Sequence, residues 1–281
     1  MAIKLSKNAY GKNAVNLSKI IRHKDYHEFR QISVNVSLEG DFETVHTIGD
    51  NTKVLPTDTQ KNTVYALAKE HFTDSIENFG IHLAEHFLSN NPQVSECTVD
   101  LVEHSWSRIS TEGHLHPHAY ISGGFEKRTA TIIKRRDKIQ IDAGIRDLLI
   151  LKTTDSAFEN YIHDQFTTLK ETSERIFATN CEATWTYATE LVDFTDVFPA
   201  IRATLINVFA DHKSLSVQHT LYAMAEKVLQ QFSMIKQISL KMPNKHHIPF
   251  NLQQFGMENN NEIFVATDEP YGYITATAIR D

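Results

Sequence analysis

From Ile32 to Leu38 apolar and polar residues alternate without a break. Ile32, Val34, Val36 and Leu38 fall on one side, and Ser33, Asn35 and Ser37 on the other. A period of two marks a strand with one buried face. Gly40-Asp41 predicts a turn after it, with FETVHTIG returning as its hairpin partner. The period then changes. Val64, Leu67 and Ala68 form one helical stripe, and Ile76, Phe79, Leu83 and Phe87 another at steps of three and four. Strands return in SECTVDLVEHSWSRI and AYISGGFEKRTATII.

The second half repeats this order. KIQIDAGIRDLLILKTT predicts two short strands, Val197, Ile201, Leu205 and Val208 a helix, and Val217, Leu221, Met224 and Val228 another. Ile238, Leu240 and Met242 alternate, and EIFVATDEPYGYITATAI predicts a closing hairpin about Pro270–Gly272. Each half therefore reads strand-strand-helix-helix-strand-strand. The expected fold class is α+β, with an antiparallel four-stranded sheet and paired helices on one face of it in each half. The expected boundary separates residues 1–134 from 135–281. The second sheet face is free to line a polar, wet space, and open sheet edges need covering. A closed oligomer, with its strands joined into a larger barrel, is expected.

Composition excludes several classes. The 281 residues carry a formal charge of −7, which argues against bulk nucleic-acid binding. The basic run KRTATIIKRRDK reads as a strand with a solvated face. No stretch approaches about 18 apolar residues, so no spanning helix and no membrane partner are expected. Cys97 and Cys181 lie far apart in sequence, as suits a reducing compartment. MAIKLSKNAYGKN has no apolar core of signal type and TAIRD no targeting tripeptide, so a cytoplasmic location is expected.

Little in the sequence announces a cofactor. HLHPH puts His116 and His118 on one strand face, but Pro117 is expected to interrupt strand pairing and no carboxylate completes a metal-ligand spacing. In KHH, His246 and His247 point apart in an extended chain. Phosphate-loop, dinucleotide and nucleophile-elbow patterns do not occur.

Two stretches concentrate polar chemistry. TDTQKNTVY, Thr57 to Tyr65, opens a helix with residues suited to capping, where Thr57 or Asp58 would accept bonds from first-turn N–H groups. LKTTDSAFENYIHDQFTTLKETSERIFAT, Leu151 to Thr179, is a long connection leading from the second half's strands towards its helices, with exposed Phe158, Tyr161 and Phe166 and with Arg175. An aromatic face beside an arginine fork suits a flat, anionic ligand. The same residues suit a packed surface loop with a solvated arginine.

With YGKNAV (Tyr10–Val15), SVQHTLYAMAE (Ser216–Glu226) and LKMPNKHH (Leu240–His247), these two stretches run in one order along nearly the whole chain. Together they resemble the urate oxidase (uricase) family. That resemblance implies tandem T-fold domains, a homotetramer with a barrel-lined tunnel and four sites at subunit interfaces, and an oxidoreductase that uses dioxygen. It implies no metal, flavin or other cofactor. Urate and dioxygen would be converted with water to 5-hydroxyisourate and hydrogen peroxide.

The resemblance also implies residue roles. Lys12 and Thr57 match the family's proton-handling dyad, and His246 the histidine that relays protons to the lysine. Phe158 matches the ring stacked on the purine, Leu169 a wall residue, and Arg175 the clamp on a carbonyl and ring nitrogen. Val217 would offer a backbone group, Gln218 a side-chain amide and Asp58 a backbone N–H. Asn244 matches the residue over which dioxygen or water sits. Glu174 precedes Arg175 where the family often has aspartate, which leaves the local support of Arg175 open. Met242 stands where leucine is common. T-fold enzymes of pterin metabolism usually anchor their ring with a glutamate, whose place Arg175 and Gln218 take here. A purine-binding protein without turnover is the other alternative.

Overall fold

The computed structural model describes residues 3–281. The chain divides into two compact units, one of residues up to Gly144 with Thr186–Val197, the other of Ile145–Trp185 with Phe198–Asp281.

The first unit carries strands β1 (Tyr10–Arg22), β2 (His27–Gly40), β3 (Val94–Thr111) and β4 (His114–Arg135), paired in that order and antiparallel throughout. Alternation explains the pairing. Val15 faces Val34, Val34 faces Leu101, and Leu101 faces Ala130, so one row of buried side chains crosses all four strands. Helices α1 (Glu43–Ile48), α2 (Thr57–His71) and α3 (Ile76–Asn90) lie between β2 and β3 in sequence. Phe79, Leu83 and Phe87 of α3 are fully buried, each worth about 1.5–3 kcal/mol of transfer free energy. At Gly80 an added Cβ would lie 2.6 Å from Ile132 and 2.8 Å from Leu101, so the helix sits directly on β3 and β4. The opposite sheet face is polar: Thr131 donates to Asp100 at 2.7 Å, and Ser33 lies 3.1 Å from the His104 ring.

The second unit contains most of β5 (Ile139–Lys152) and β6 (Phe177–Tyr187), with β7 (Ile235–Lys241), β8 (Asn244–Pro249), β9 (Phe264–Gly272) and β10 (Thr275–Ile279). β5, β6, β7 and β10 neighbour one another in that order. Helix α5 (Val217–Gln231) packs on β7 and β10, burying Val217, Leu221, Met224 and Val228. In α4 (Phe194–Asp211) the buried stripe is Phe194, Ile201, Leu205 and Phe209, while Val197 and Val208 are half-buried. Cys97 and Cys181 are buried free thiols, pushed up to about 12 by desolvation.

Each half runs strands, helices, strands as expected, but the first has three helices, α1 to α3, where two are expected, the second ends in four strands, β7 to β10, in place of two, and several expected elements differ. FETVHTIG is not a strand. Phe42 plugs the core with its ring edge-on to Tyr10, Glu43–Ile48 is helical, and Gly49 ends that helix at φ 73°. The partner of β2 is β1, whose only buried residues are Val15 and Leu17. KIQIDAGIRDLLILKTT forms one strand, broken in conformation only by Asp147 at φ 58°. The missing strand is β6, so the long connection joins β5 to β6 and does not lead to the helices.

No terminal hairpin forms about Pro270–Gly272, because β9 pairs with β8 and β10 with β7. Pro117 lies inside β4. The register slips between the pairs Arg108–Tyr120 and Ser110–Leu115, and this irregularity accommodates the missing proline N–H. Among the described residues, no helix is long and apolar enough to cross a membrane.

Candidate active site

In the second unit, the long connection is held by two short bridges. Ser156 pairs with Ser214, and Phe158 with Thr172. Ala157 donates to the Ser214 carbonyl at 2.8 Å, and Ser214 donates to that of Asp155 at 2.9 Å. Phe158 and Thr172 exchange bonds of 2.8 and 3.1 Å. Burial of Ser156 and Ser214, 1 % and 0 % exposed, makes this a fixed frame.

Arg175 is tied to that frame twice. Its N–H donates to the Ser156 carbonyl at 2.8 Å, and its Nε lies 3.3 Å from Ser156 Oγ. The central guanidinium carbon sits 5.4 Å from the centroid of the Phe158 ring. Desolvation pulls the guanidinium below its usual pKa. Glu174 does not support it: that carboxylate accepts the Thr154 hydroxyl. The sequence question about Arg175 is thereby answered by Ser156.

The same frame fixes the start of α5. Ser214 Oγ donates to the Ser216 carbonyl at 2.9 Å, and Ser216 caps the helix by accepting from His219 N–H at 3.1 Å. That cap serves the third helical position. The N–H groups of Val217 and Gln218 have no partner among the described residues. Val217 is 4 % exposed, whereas Gln218 is exposed. Free N–H groups at a helix start favour an anion.

Asn244 and His246 share β8, with Asn244 Nδ2 3.3 Å from His246 Nδ1. Pairing of β8 with β6 sets Asn244 opposite Thr179, four positions beyond Arg175 in sequence. Leu169 is 61 % exposed, and its carbonyl accepts from Tyr161 Oη at 2.7 Å. Phe166 is exposed as expected, but Phe158 and Tyr161 are half-buried.

Lys12, Thr57 and Asp58 belong to the first unit. Lys12 pairs with Val36 immediately before a bulge, at which Ala14 takes φ 55° and donates to Asn35 Oδ1 at 2.7 Å. Such a bulge redirects the neighbouring side chain. Gly11 is required there, since an added Cβ would lie 1.8 Å from the Val36 carbonyl oxygen.

The expected capping role at Thr57 does not occur. Pro56 is the N-cap residue and no side chain caps α2. The Asp58 carboxylate turns to Lys61 and Asn62, and the Lys61 contact, with a smaller contribution from Lys12, holds its pKa below the usual carboxylate value. Thr57 and Asp58 therefore begin a helix whose first N–H groups, and the Thr57 hydroxyl, have no partner among the described residues. Ser156 and Ser214 carry much of the geometry but escaped sequence reasoning, whereas Tyr161 was singled out only as one ring of an exposed aromatic face. Ser216, placed before the apolar stripe of α5, had a legible signal, that of an N-cap.

The His114–His118 stretch brings the His116 and His118 rings to 4.6 Å, yet no group of three or more metal-ligating side chains forms among the described residues.

Two successive runs of paired strands, helices and further strands, with antiparallel pairing, make this an α+β protein of T-fold topology. The uricase family model matches residues 8–133 and 141–275, and the chain belongs to that family. It is similar to the uricase of Arthrobacter globiformis, 41 % identical over 277 residues, covering 99 % of this chain and 90 % of the relative. The uricase of Dictyostelium discoideum is 38 % identical, with 97 % and 96 % covered. A crystal structure of the Arthrobacter globiformis uricase superposes with a TM-score of 0.95 at 40 % identity, covering 100 % of this chain and 96 % of the other.

Proposed function

We propose that this protein is a urate oxidase, converting urate, dioxygen and water to 5-hydroxyisourate and hydrogen peroxide. The observation that carries this reading is the Arg175–Phe158 pair fixed through Ser156 and Ser214 to the open start of α5, in a chain of the uricase family. A flat anion needs one surface for its plane and donors for its edges. Phe158 supplies the plane, while Arg175 supplies one edge and Gln218 with the Val217 backbone the other.

Urate carries one negative charge near neutral pH and must lose a further proton to become a strong electron donor. Lys12 and Thr57 are assigned to that proton, with His246 as its relay and the Asp58 N–H as a further donor to the substrate. The dianion then gives one electron to dioxygen, and the two radicals recombine into a hydroperoxide above Asn244. Loss of hydrogen peroxide and addition of water complete the balance. The substrate itself supplies the electrons, so the scheme assigns no step to a metal or flavin.

Lys12, Thr57 and Asp58 lie on one unit and the remaining site residues on the other. We assign their meeting to subunit interfaces of a homotetramer, with Leu169 on the site wall. The polar sheet face carrying Ser33, Asp100 and Thr131 supports a water-lined tunnel in that assembly. The test is oxygen uptake and peroxide release on adding urate, after exhaustive chelation and with metal content measured. Equimolar uptake and release supports the reading. Activity that returns only with one added metal, or tight urate binding without oxygen uptake, overturns it.

A further inference from the structure

Tyr161 touches two of the groups assigned to the substrate and has no role in that assignment. Its ring stacks on Phe158 with centroids 4.8 Å apart and planes 15° apart. Its hydroxyl donates to the Leu169 carbonyl at 2.7 Å. The stack continues outward to His163, at 4.8 Å and 18°. The chain between these rings is held in turn: Asn160 adopts φ 59°, and its N–H donates to Glu171 at 3.1 Å. His163 lies 3.4 Å from the same carboxylate oxygen.

We infer that Tyr161 is a positioning residue for a planar purine anion, holding the Phe158 plane and the Leu169 wall in one arrangement. This rests on the assignment of Phe158 and Leu169 to the substrate. An aromatic side chain on a loop is free to rotate about two bonds, and ligand binding must then remove that freedom. A parallel ring stacked on Phe158 restricts it in advance. The hydroxyl bond adds a second constraint, eight residues away, on the segment that carries Leu169. One side chain thus orders two contacts before the ligand arrives. Its effect falls on binding of the flat ring and hardly at all on proton removal, which belongs to Lys12 and Thr57.

Two variants separate the parts. Tyr161→Phe keeps the stack and loses the bond to Leu169; Tyr161→Leu loses both. Urate KM and kcat are measured together with calorimetric binding of xanthine, a flat purine probe that reports on positioning even if turnover is absent. With Tyr161→Leu, urate KM and xanthine Kd are expected to rise roughly two- to tenfold, and kcat to change less than KM. Tyr161→Phe is expected to recover most of the lost affinity. Thermal midpoints of both variants should stay near the parent, because Tyr161 stands on a surface loop. Unchanged xanthine affinity in Tyr161→Leu overturns the inference, as does a loss confined to kcat. Absence of urate turnover in the parent protein, with xanthine affinity still dependent on Tyr161, overturns the proposed reaction and leaves the positioning role standing.

Discussion

The guanidinium of Arg175 and the ring of Phe158 form a cation–π pair at 5.4 Å, and the arginine's Nε faces Ser156 Oγ at 3.3 Å. One charged side chain therefore sits close to the ring assigned to the purine plane, with N–H groups beyond Nε left for a ligand edge. Arg175→Ala is expected to weaken urate or xanthine binding by roughly tenfold or more, as removal of a partly desolvated charged contact does. Arg175→Lys should recover little, because an ammonium cannot supply the planar fork. Calorimetric titration decides this, and undiminished affinity would remove Arg175 from the site.

Thr57 and Ser216 both stand at helix starts, but only Ser216 accepts a backbone N–H. Ser216→Ala should therefore lower stability by about 1 kcal/mol, whereas Thr57→Ala should leave the urea midpoint unchanged. The activity pattern differs: Thr57→Ala and Lys12→Met should lower kcat more than they weaken xanthine binding. A destabilised Thr57→Ala variant would return that residue to a capping role.

Legibility in the sequence followed burial. The strands built on Ile32–Leu38 and the stripes of α3 and α5 were readable because one whole face is buried at each period. β1 escaped because a bulge and only two buried residues break its alternation. β6 escaped because FATNCEATWTY, although Phe177, Cys181, Ala183 and Trp185 are all buried, mixes small and aromatic residues and follows a long connection. Arg175 and Phe158 were legible as residue types, and Val217 and Gln218 only through the family resemblance. The serines that fix them were not, since Ser156 and Ser214 act through bonds between segments nearly sixty positions apart.

Lys12 and Arg175 belong to different units of the chain, and their shared use is assigned to a subunit interface. Mixing chains inactivated at Lys12 with chains inactivated at Arg175 should restore part of the urate oxidation, since some sites then receive both intact residues. Each variant assembled alone gives the baseline. No recovery in verified mixed oligomers would show that each site draws both residues from one chain.

Glu77 of α3, fully buried, pairs with Arg128 of β4 at 2.6 Å, and Arg128 also donates to the Phe194 carbonyl at 3.1 Å. Burial pushes the Glu77 carboxyl up against the opposing pull of Arg128. Removing one partner strands the other charge, so Glu77→Leu or Arg128→Met should each cost about 3–5 kcal/mol. The double variant should cost clearly less than the sum of the two. Urea unfolding of all four proteins tests this, and additive losses would show that the pair is not coupled.

His212 follows α4 at the back of the α5 start. Its Nδ1 lies 3.1 Å from Thr220 Oγ1, its ring meets His219 at 4.3 Å, and its carbonyl accepts the Lys152 ammonium. Burial first, then the charges of His219 and Lys152, lower its pKa. The folded protein therefore resists protonation that the unfolded chain accepts near the ordinary histidine value of about 6.5. Above that value both states are neutral at His212 and its contribution is fully present. As pH falls below it, the unfolded chain takes up the proton first and stability declines until the folded pKa is reached. His86, lowered by desolvation alone, acts in the same direction. Urea midpoints measured from pH 7 to pH 5 should decline in the parent protein and decline less steeply in His212→Asn, which keeps a polar group near Thr220 without titrating. An identical slope in the two proteins would show that His212 does not carry the acid sensitivity.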